Sequence, residues 1–236
     1  MKYKLGDWIV GEDEDYVVIN KPPFIASLED RHTSFNILAA AKEVYEDPQL
    51  CHRLDKETSG ILVIAKNPEA YRSLAMQFEA REVDKIYHAV VNGVHDIDGV
   101  MVDAPLYVGA SGKVRVSFSK GKPSSTLMKT AKAYKGATLL HCKPITGRMH
   151  QIRVHAAYVK ASLVNDIGYG GKELFLSQLK KKYNLKQDTE ERPLIKRVAL
   201  HSSEITFKNL KGENVTYVAE YPKDFRVLIK QLEKNS

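Results

Sequence analysis

Short hydrophobic runs alternate with polar turns along the 236 residues of the chain. The pattern predicts strands at these positions: residues 16–20, 60–66 and 85–92, several strands within 99–145, and a hairpin of 200–207 with 215–221. Apolar positions at helical spacing predict helices at residues 34–46, from 67 onward, at 148–159, at 173–183 and around 225–232. No hydrophobic run approaches the ~20 residues that span a bilayer.

The ends of some elements carry their own signals. Residues 60–66 are apolar without alternation, which predicts a strand that is covered on both faces. Residues 67–69 (Asn-Pro-Glu) provide a cap, a first-turn proline and a first-turn acid, so a helix is predicted to begin there. Thr33 or Ser34 is predicted to cap the helix at 34–46.

The order of these elements indicates the fold class. Strands come in consecutive groups and do not alternate regularly with helices, which is typical of α+β proteins and not of doubly wound parallel sheets. We therefore predict an α+β fold, with a mixed, largely antiparallel central sheet and flanking helices. No repeat, low-complexity block or clear linker divides the chain, so residues 1–236 are predicted to form a single domain.

Composition narrows the class of partner and the compartment. Hydrophobic residues make up 43% and charged residues 28%, as in ordinary globular proteins, and the formal net charge is +7. The positive charge favours a polyanionic partner such as nucleic acid, although it also suits an anionic membrane surface. Two cysteines without a C-x-x-C pair exclude a disulfide scaffold and a cysteine-rich zinc site. Because residues 1–16 lack an apolar signal core, we expect a cytoplasmic protein without a membrane partner.

The most informative polar segment is His52-Arg53-Leu54-Asp55, which lies just before the apolar run at 60–66. A carboxylate at the mouth of a rigid strand, with a cation beside it, stays ionised and is fixed in position. Asp55 is therefore the candidate nucleophile or general base. The alternative is a plain loop salt bridge between Arg53 and Asp55, which is the more common use of such a pair.

Two further segments carry candidate chemistry. Residues 146–155 have the sequence Thr-Gly-Arg-Met-His-Gln-Ile-Arg-Val-His, which predicts a glycine-opened helix with basic and amide groups in its first turns. Such a helix start suits an anion, although Arg148 and Arg153 could equally be two exposed arginines on a helix. Tyr87 lies in the strand at 85–92, where an ordinary core tyrosine is the alternative.

These segments resemble the motifs of the RluA-type RNA pseudouridine synthases. That family has His-Arg-Leu-Asp, two variable residues and Thr-Ser-Gly, and residues 52–60 match this pattern. The family has Gly-Arg-Thr-His-Gln-Ile-Arg at the second segment, where this chain has Met149 in place of threonine. Shorter matches at 17–22 and 166–171 complete the set in the family order, and Asn165 replaces a usual glycine.

The resemblance implies a pseudouridine synthase catalytic domain without the S4-type RNA-binding domain that many relatives carry. It implies that Asp55 is the catalytic carboxylate and that Tyr87 lies against the target base. It also assigns Arg153 as the salt-bridge partner of Asp55, with Arg148 as the fallback. Contacts with the substrate RNA are expected from the following residues: Arg53, Lys21, His52, Arg148 and Gln151. For Arg53, filling the space left by an extruded uridine and contacting a phosphate stay open as alternatives.

The implied reaction is the isomerisation of uridine to pseudouridine, in which the base is detached, turned and rejoined through carbon. It needs no redox partner, metal or added group, so we expect no cofactor and no metal. Asp55 could act at the sugar C1′, at the base C6 or on the C2′ proton, and the sequence does not choose among these routes. The implied substrate is ribosomal or transfer RNA, with a short stem-loop as the expected target, and we expect a monomer.

Two rival functions stay open. A uridine N-glycosidase would use Asp55 to attack C1′ and would release free uracil. A non-catalytic RNA-binding factor would need the basic residues but not Asp55. Basic residues that could follow an RNA backbone, or simply form a solvated face, are Lys113, Arg115, Lys120, Lys122, Lys180, Lys181, Lys182 and Lys186.

Other enzyme classes have less support. His150 and His155 lie about 140° apart around a helix, whereas helical zinc pairs sit four residues apart, about 40°. Residues 109–113 end like a P-loop, but the first glycine and the final Ser or Thr of that motif are missing. No Gly-x-Ser-x-Gly occurs, so a serine hydrolase is not indicated.

Overall fold

The computed structural model of the protein describes residues 4–29, 35–185 and 189–236. Its strands are β1 (Ile9–Glu12), β2 (Tyr16–Lys21), β3 (Gln49–Leu50), β4 (Ser59–Ala65), β5 (Asp84–Asn92), β6 (Val100–Asp103), β7 (Leu106–Val108), β8 (Val114–Val116), β9 (Ser125–Tyr134), β10 (Ala137–Pro144), β11 (Leu200–Lys208) and β12 (Asn214–Val218). Its α-helices are α1 (Ile37–Lys42), α2 (Pro68–Ala80), α3 (Gln151–Tyr158), α4 (Leu176–Leu179) and α5 (Lys223–Lys234), and short 3-10 helices occupy Leu5–Trp8 and Ile167–Tyr169. Across the described ranges, no helix is both long enough and apolar enough to cross a membrane.

The chain divides into two compact units. The first contains Met1–Tyr87 and His201–Pro222, and the second contains His88–Leu200 and Lys223–Ser236. Mostly antiparallel strands and few helices build both units. The predicted α+β class with a mixed, largely antiparallel sheet is therefore confirmed.

In the first unit, the strands follow the order β1-β2-β4-β11, while β3 pairs with β4 and β12 pairs with β11. β2 is antiparallel to β4, and β11 forms the predicted antiparallel hairpin with β12. β4 lies parallel to β11, with Ser59 opposite His201 and Gly60 opposite Ser202. Every residue of β4 is buried, as its unbroken apolar run predicts.

The close approach of β4 and β11 depends on Gly60. Its φ is +111°, in a region that residues with a side chain rarely adopt. A methyl group there would overlap the backbone of Ser202. Gly60 thus lets the strand that follows Asp55 lie directly against the strand that carries His201 and Ser202.

Helix α2 packs on this sheet and begins where the sequence predicts. Asn67 caps its first turn, because the side chain accepts a hydrogen bond from the Ala70 N–H at 2.9 Å. The Tyr16 hydroxyl donates to the Ala70 carbonyl at 3.0 Å, and the Tyr16 ring meets Phe207 edge-on with centroids 5.1 Å apart. Leu74 of the helix joins the same hydrophobic cluster, which therefore unites β2, α2 and β11 in one core.

In the second unit, the strands follow the order β5-β10-β9-β6, and β7 and β8 form a separate two-stranded ribbon. β9 and β10 form a long antiparallel hairpin, and β6 is antiparallel to β9. Helix α3 contributes Val154 to a small buried cluster with Leu106 of β7 and Val114 of β8. The helix that carries the second motif is therefore packed against the ribbon.

A buried arginine fixes the last helix. The Arg197 side chain is fully buried, and its Nε donates to Asp224 Oδ2 at 2.7 Å. Its Nη1 donates to the carbonyls of Val198 and Leu200 at 3.2 and 3.0 Å. One side chain thereby ties the first turn of α5 to residues 198–200 within the second unit.

Two helix predictions in these units differ from the structure. The helix predicted at 173–183 is wrong, since only Leu176–Leu179 is helical there. Lys180 adopts an extended backbone, and the exposed lysines that follow it offer no apolar face that would continue the helix.

The helix predicted at 34–46 is shorter than expected and is capped by a different residue. It spans Ile37–Lys42, and Asn36 caps it by accepting from the Ala39 N–H at 2.9 Å. The predicted caps Thr33 and Ser34 lie outside the described residues.

Candidate active site

Asp55 lies on the turn between β3 and β4, and we call residues 54–58 the Asp55 turn. The Thr58 N–H donates to the Asp55 carbonyl at 3.0 Å and closes it. Leu54 is buried, Asp55 is half-buried and Arg53 is exposed. The turn thus anchors its leucine in the core and leaves Asp55 only half-buried.

The loop after β2 holds this turn on both sides of Asp55. The Ser27 hydroxyl donates to the Leu54 carbonyl at 2.9 Å and accepts from the Leu54 N–H at 3.1 Å. On the other side, the Phe24 N–H donates to the Lys56 carbonyl at 2.8 Å. The backbone at Asp55 is therefore fixed from both directions. Ser27 could not be selected from the sequence, because a single serine in a loop carries no distinguishing pattern.

Lys21 reinforces the same arrangement. Its side chain is buried, and its Nζ donates to the carbonyls of Pro22, Ile25 and Lys56 at 3.0, 2.9 and 3.3 Å. A buried ammonium group is costly unless hydrogen bonds compensate it, and these carbonyls do so. The position of Lys21 supports a role in holding the Asp55 turn, and its contact with RNA stays a prediction.

Tyr87 is buried close to the Asp55 turn. Burial raises the pKa of its hydroxyl to about 12, a hydrogen bond with the Ser202 side chain opposes this shift, and the negative charge of Asp55 adds to it. At neutral pH Tyr87 therefore keeps its proton and can donate a hydrogen bond. The fold brings Tyr87 within electrostatic reach of Asp55, while its contact with a base stays a prediction.

A buried serine and histidine connect β4 to β11 just after the Asp55 turn. Ser59 Oγ lies 2.9 Å from Nδ1 of His201, and Nε2 of His201 lies 3.2 Å from the Ala219 carbonyl oxygen. Because a carbonyl only accepts, we assign the ring proton to Nε2, so that Ser59 donates to Nδ1. The ring of Tyr221 meets His201 edge-on at 5.3 Å. These contacts fix the chain immediately downstream of the turn.

His52 is part of the framework of the first unit. Its Nε2 accepts from the Val63 N–H at 3.0 Å, and its ring lies 5.0 Å from that of Phe78. Burial lowers the pKa of His52 to about 3, and the positive charge of Lys85 acts in the same direction. Burial also lowers the pKa of Lys85, to about 8. His52 is therefore neutral at physiological pH and uses Nε2 within the fold, and its contact with RNA stays a prediction.

In the second unit, Arg153 forms a bidentate ion pair with Asp166. Nε and Nη2 each donate to one carboxylate oxygen at 2.8 Å, and the guanidinium lies 4.9 Å from the centre of the Tyr169 ring. Asn165 has a φ of +61°, a left-handed conformation that glycine adopts freely and asparagine tolerates. The departure from the family glycine thus preserves the turn. The pairing of Arg153 with Asp55 stays a prediction.

Gln151 begins α3 and ties it to β9. Its amide nitrogen donates to the Ser125 carbonyl and to the Thr126 hydroxyl, both at 2.9 Å. Its amide oxygen accepts from the Thr146 hydroxyl at 2.7 Å and from the Arg148 N–H at 3.0 Å. The two donors and the acceptor of this amide are therefore all used within the fold, and its contact with RNA stays a prediction.

The helix predicted at 148–159 starts later than expected. It begins at Gln151 because His150 has a left-handed backbone with a φ of +54°. Gly147 and Arg148 therefore lie before the helix and not in its first turn. The side chains of Arg148 and Arg53 are both exposed, as a contact with RNA requires.

The basic residues that could follow an RNA backbone lie in the second unit. Exposed members of this set are Lys113, Arg115, Lys120, Lys122, Lys181 and Lys182. Lys180 is half-buried, and Lys186 lies outside the described residues. The ribbon of β7 and β8 thus presents positive charge to solvent.

The first unit combines a half-buried carboxylate with a neutral phenol. A fixed carboxylate can attack carbon or take a proton, and a neighbouring hydroxyl that keeps its proton can donate to a reacting group. Within residues 4–29, 35–185 and 189–236, no group of three or more His, Cys, Asp and Glu side chains could hold a metal ion.

Comparison with known proteins identifies the family. Residues 15–158 match the family model described as RNA pseudouridylate synthase. The chain is 38% identical to ribosomal large subunit pseudouridine synthase C of Salmonella typhi over 210 aligned residues. The aligned region covers 86% of this chain and 62% of that protein. The chain thus spans less than two thirds of the length of this relative.

Two solved human structures share the fold. RNA pseudouridylate synthase domain containing 4 matches with a TM-score of 0.72 and 23% identity, over 97% of this chain and 94% of that chain. RNA pseudouridylate synthase domain containing 1 matches with a TM-score of 0.70 and 26% identity, over 91% of this chain and 83% of that chain. The fold that the resemblance implies is confirmed, and since the family model covers more than half of the chain, the protein belongs to the RNA pseudouridylate synthase family.

Proposed function

We propose that the protein isomerises uridine to pseudouridine in RNA, with Asp55 as the catalytic carboxylate. The observation that carries this proposal is the double attachment of the Asp55 turn, in which Leu54 and Lys56 are both bonded to the loop after β2. A carboxylate that reacts with a positioned nucleotide needs such support, because a misplacement of about 1 Å can cost about 100-fold in rate.

The reaction itself balances without a co-reactant. The bond between N1 and C1′ breaks, a bond between C5 and C1′ forms, the C5 hydrogen leaves as a proton, and N1 takes up a proton. Asp55 acts at C1′, at C6 or on the C2′ proton, and each route requires its ionised form. Arg153, which is paired with Asp166 in the second unit, stays a candidate partner of Asp55 that the proposal does not require.

The other residues have supporting roles. Tyr87 offers a flat face for uracil and a hydroxyl that keeps its proton at neutral pH, so it acts as a hydrogen-bond donor and not as a resting base. The exposed Arg53 and Arg148 contact the RNA. Three residues that were expected to contact RNA form hydrogen bonds within the protein instead: Lys21, His52 and Gln151. We propose that they position the site and that any contact they make with RNA is secondary.

Ribosomal RNA of the large subunit is the substrate to test first. The Salmonella typhi relative is named for that subunit, and a transfer RNA stem-loop is the second candidate. The exposed basic residues of the second unit suit either polyanion.

We propose that residues 1–236 form one catalytic domain that acts as a monomer in the cytoplasm.

The test is a product analysis with a matched control. Wild type, Asp55→Asn and Glu57→Gln are incubated with unmodified large-subunit ribosomal RNA, and the digested nucleosides are separated. Wild type and Glu57→Gln, which changes a neighbouring exposed carboxylate, should form pseudouridine without free uracil, and Asp55→Asn should form none. Free uracil would identify an N-glycosidase. No product on any RNA, with RNA binding unchanged in Asp55→Asn, would favour a non-catalytic binding factor.

A further inference from the structure

An exposed aromatic residue beside the Asp55 turn has a left-handed backbone. Phe24 has a φ of +68°, a value that is a true outlier for a bulky side chain. Among the described residues, three of the four other non-glycine cases have ordinary explanations. Arg81 and Lys160 lie at the C-terminal ends of helices, and Asn165 is a residue type that tolerates this region. Phe24 follows Pro23 in a turn after β2, at a position of positive φ that glycine or asparagine usually occupies.

The surrounding hydrogen bonds impose this conformation. The Phe24 N–H donates to the Lys56 carbonyl at 2.8 Å. Lys21 Nζ donates to the carbonyls of Pro22 and Ile25, on either side of Phe24, at 3.0 and 2.9 Å. The loop that holds the Asp55 turn therefore requires a left-handed residue at this position, and a glycine would meet that need without strain.

The ring is nevertheless present, and it is presented to solvent. Phe24 is 54% exposed, although its neighbour Ile25 is buried. The folded protein therefore keeps both a strained backbone and an exposed aromatic ring at Phe24, which is hydrogen-bonded to Lys56, the residue after Asp55. Strained positions that persist in this way cluster at sites of ligand contact.

The local charge indicates what the ring could meet. Lys56 directly follows Asp55, and the exposed Arg53 lies two positions before it. An aromatic face among cationic groups is the arrangement on which unpaired nucleobases stack while the cations meet the phosphates. Hydrogen bonds hold the backbone on both sides of the ring.

We propose that the Phe24 ring stacks on an unpaired base of the RNA substrate next to the uridine that Asp55 acts on. The proposal rests on the proposed function for the identity of the substrate. Phe24 is thus an RNA-binding residue that defines the conformation of the nucleotides around the target, and it favours loops over paired stems because only unpaired bases offer a free face.

The first test compares three variants at this position in binding to a uridine-containing stem-loop RNA. Phe24→Gly and Phe24→Leu remove the aromatic face, and the Kd should rise about 5- to 150-fold, which corresponds to loss of one stacked base. Phe24→Trp keeps the face and should retain the wild-type Kd. The thermal unfolding midpoint of Phe24→Gly should not fall, since glycine suits the backbone, so weaker binding would not reflect misfolding.

The second test places a fluorescent reporter at the same position. Trp8 is the only tryptophan of the chain, so a Trp8→Phe, Phe24→Trp protein has its single tryptophan at position 24 and reports from there under selective tryptophan excitation. Stacking on a base should quench that emission when the stem-loop binds. A fully paired duplex of the same length should quench it less, because its bases are not accessible.

The activity assay tests the proposed function, whereas RNA affinity and tryptophan emission test the stacking of Phe24, so the two can fail independently. If wild type binds the stem-loop but forms no pseudouridine, the proposed function fails, and the variant affinities still decide the stacking proposal. If Phe24→Gly and Phe24→Leu bind the stem-loop as tightly as wild type, the stacking proposal is overturned whether or not the enzyme is active. Unchanged emission of the reporter protein in the RNA complex would overturn it independently.

Discussion

Removal of the Ser27 hydroxyl tests whether the loop after β2 positions Asp55. Ser27 satisfies both the N–H and the carbonyl of Leu54, and Leu54 is only 4% exposed. A buried backbone group that loses its partner costs about 1–3 kcal/mol. With two such groups affected, Ser27→Ala should lower the free energy of unfolding by about 2–6 kcal/mol, as measured by urea unfolding.

The effect on activity is the more specific part of this prediction. At a temperature where Ser27→Ala remains folded, kcat should fall at least about 10-fold, because Asp55 is no longer held at the position the reaction requires. The Kd for RNA should change little, since Ser27 itself is buried. Single-turnover kinetics with saturating enzyme would separate the chemical step from binding.

A matched variant shows whether stability loss alone explains the result. Ser124 is also buried, and its hydroxyl donates to the Lys122 carbonyl at 2.9 Å in the second unit. Ser124→Ala should lose stability but keep kcat. The positioning argument would be refuted if Ser27→Ala showed the expected loss of stability and yet retained the wild-type kcat, as this control should.

Gly60→Ala should strongly lower the thermal unfolding midpoint and the activity, because a methyl group would overlap the neighbouring parallel strand; wild-type values of both would contradict the close approach. The free energy of unfolding should fall as the pH drops from about 6.5 towards 3. In this window the unfolded chain takes up a proton at His52 that the folded chain does not, because the pKa of His52 in the folded protein is lowered to about 3. Acid unfolding of wild type and His52→Gln checks this, and the variant should depend less on pH in that window. Asp224→Ala removes the carboxylate partner of the buried Arg197 and should cost about 3 kcal/mol in urea unfolding; a loss near zero would show that the ion pair does not fix the last helix.

Elements with local signals could be predicted from the sequence. The unbroken apolar run of β4 and the Asn67 cap of α2 each lie within a few residues, and both predictions are confirmed. The helix predicted at 173–183 was wrong because its two buried residues, Leu174 and Leu179, lie five positions apart, about 140° around a helix, and so cannot share one buried face. Loop residues that pack into the core can be buried without a helical backbone.

In the candidate site too, residues within short motifs could be predicted from the sequence, whereas residues that act through distant contacts could not. Asp55 and Tyr87 could be selected because they lie in short motifs, and the fold brings the Tyr87 hydroxyl within electrostatic reach of Asp55. Ser27 could not be selected, since its partner Leu54 is 27 positions away. Lys21 and Gln151 were expected to contact RNA because they lie in matched family motifs, yet both are buried and bonded within the protein. Residue type indicates which groups can form hydrogen bonds, but only the fold decides with which partner.

Tritium release is the direct measure of whether Asp55 carries out the isomerisation. RNA transcribed with uridine tritiated at C5 is incubated with wild type and with Asp55→Asn, and tritium is counted in the solvent. We expect release by wild type and none by Asp55→Asn, with equal RNA affinity and equal thermal stability of the two proteins. Release by Asp55→Asn at the wild-type rate would contradict this role of Asp55.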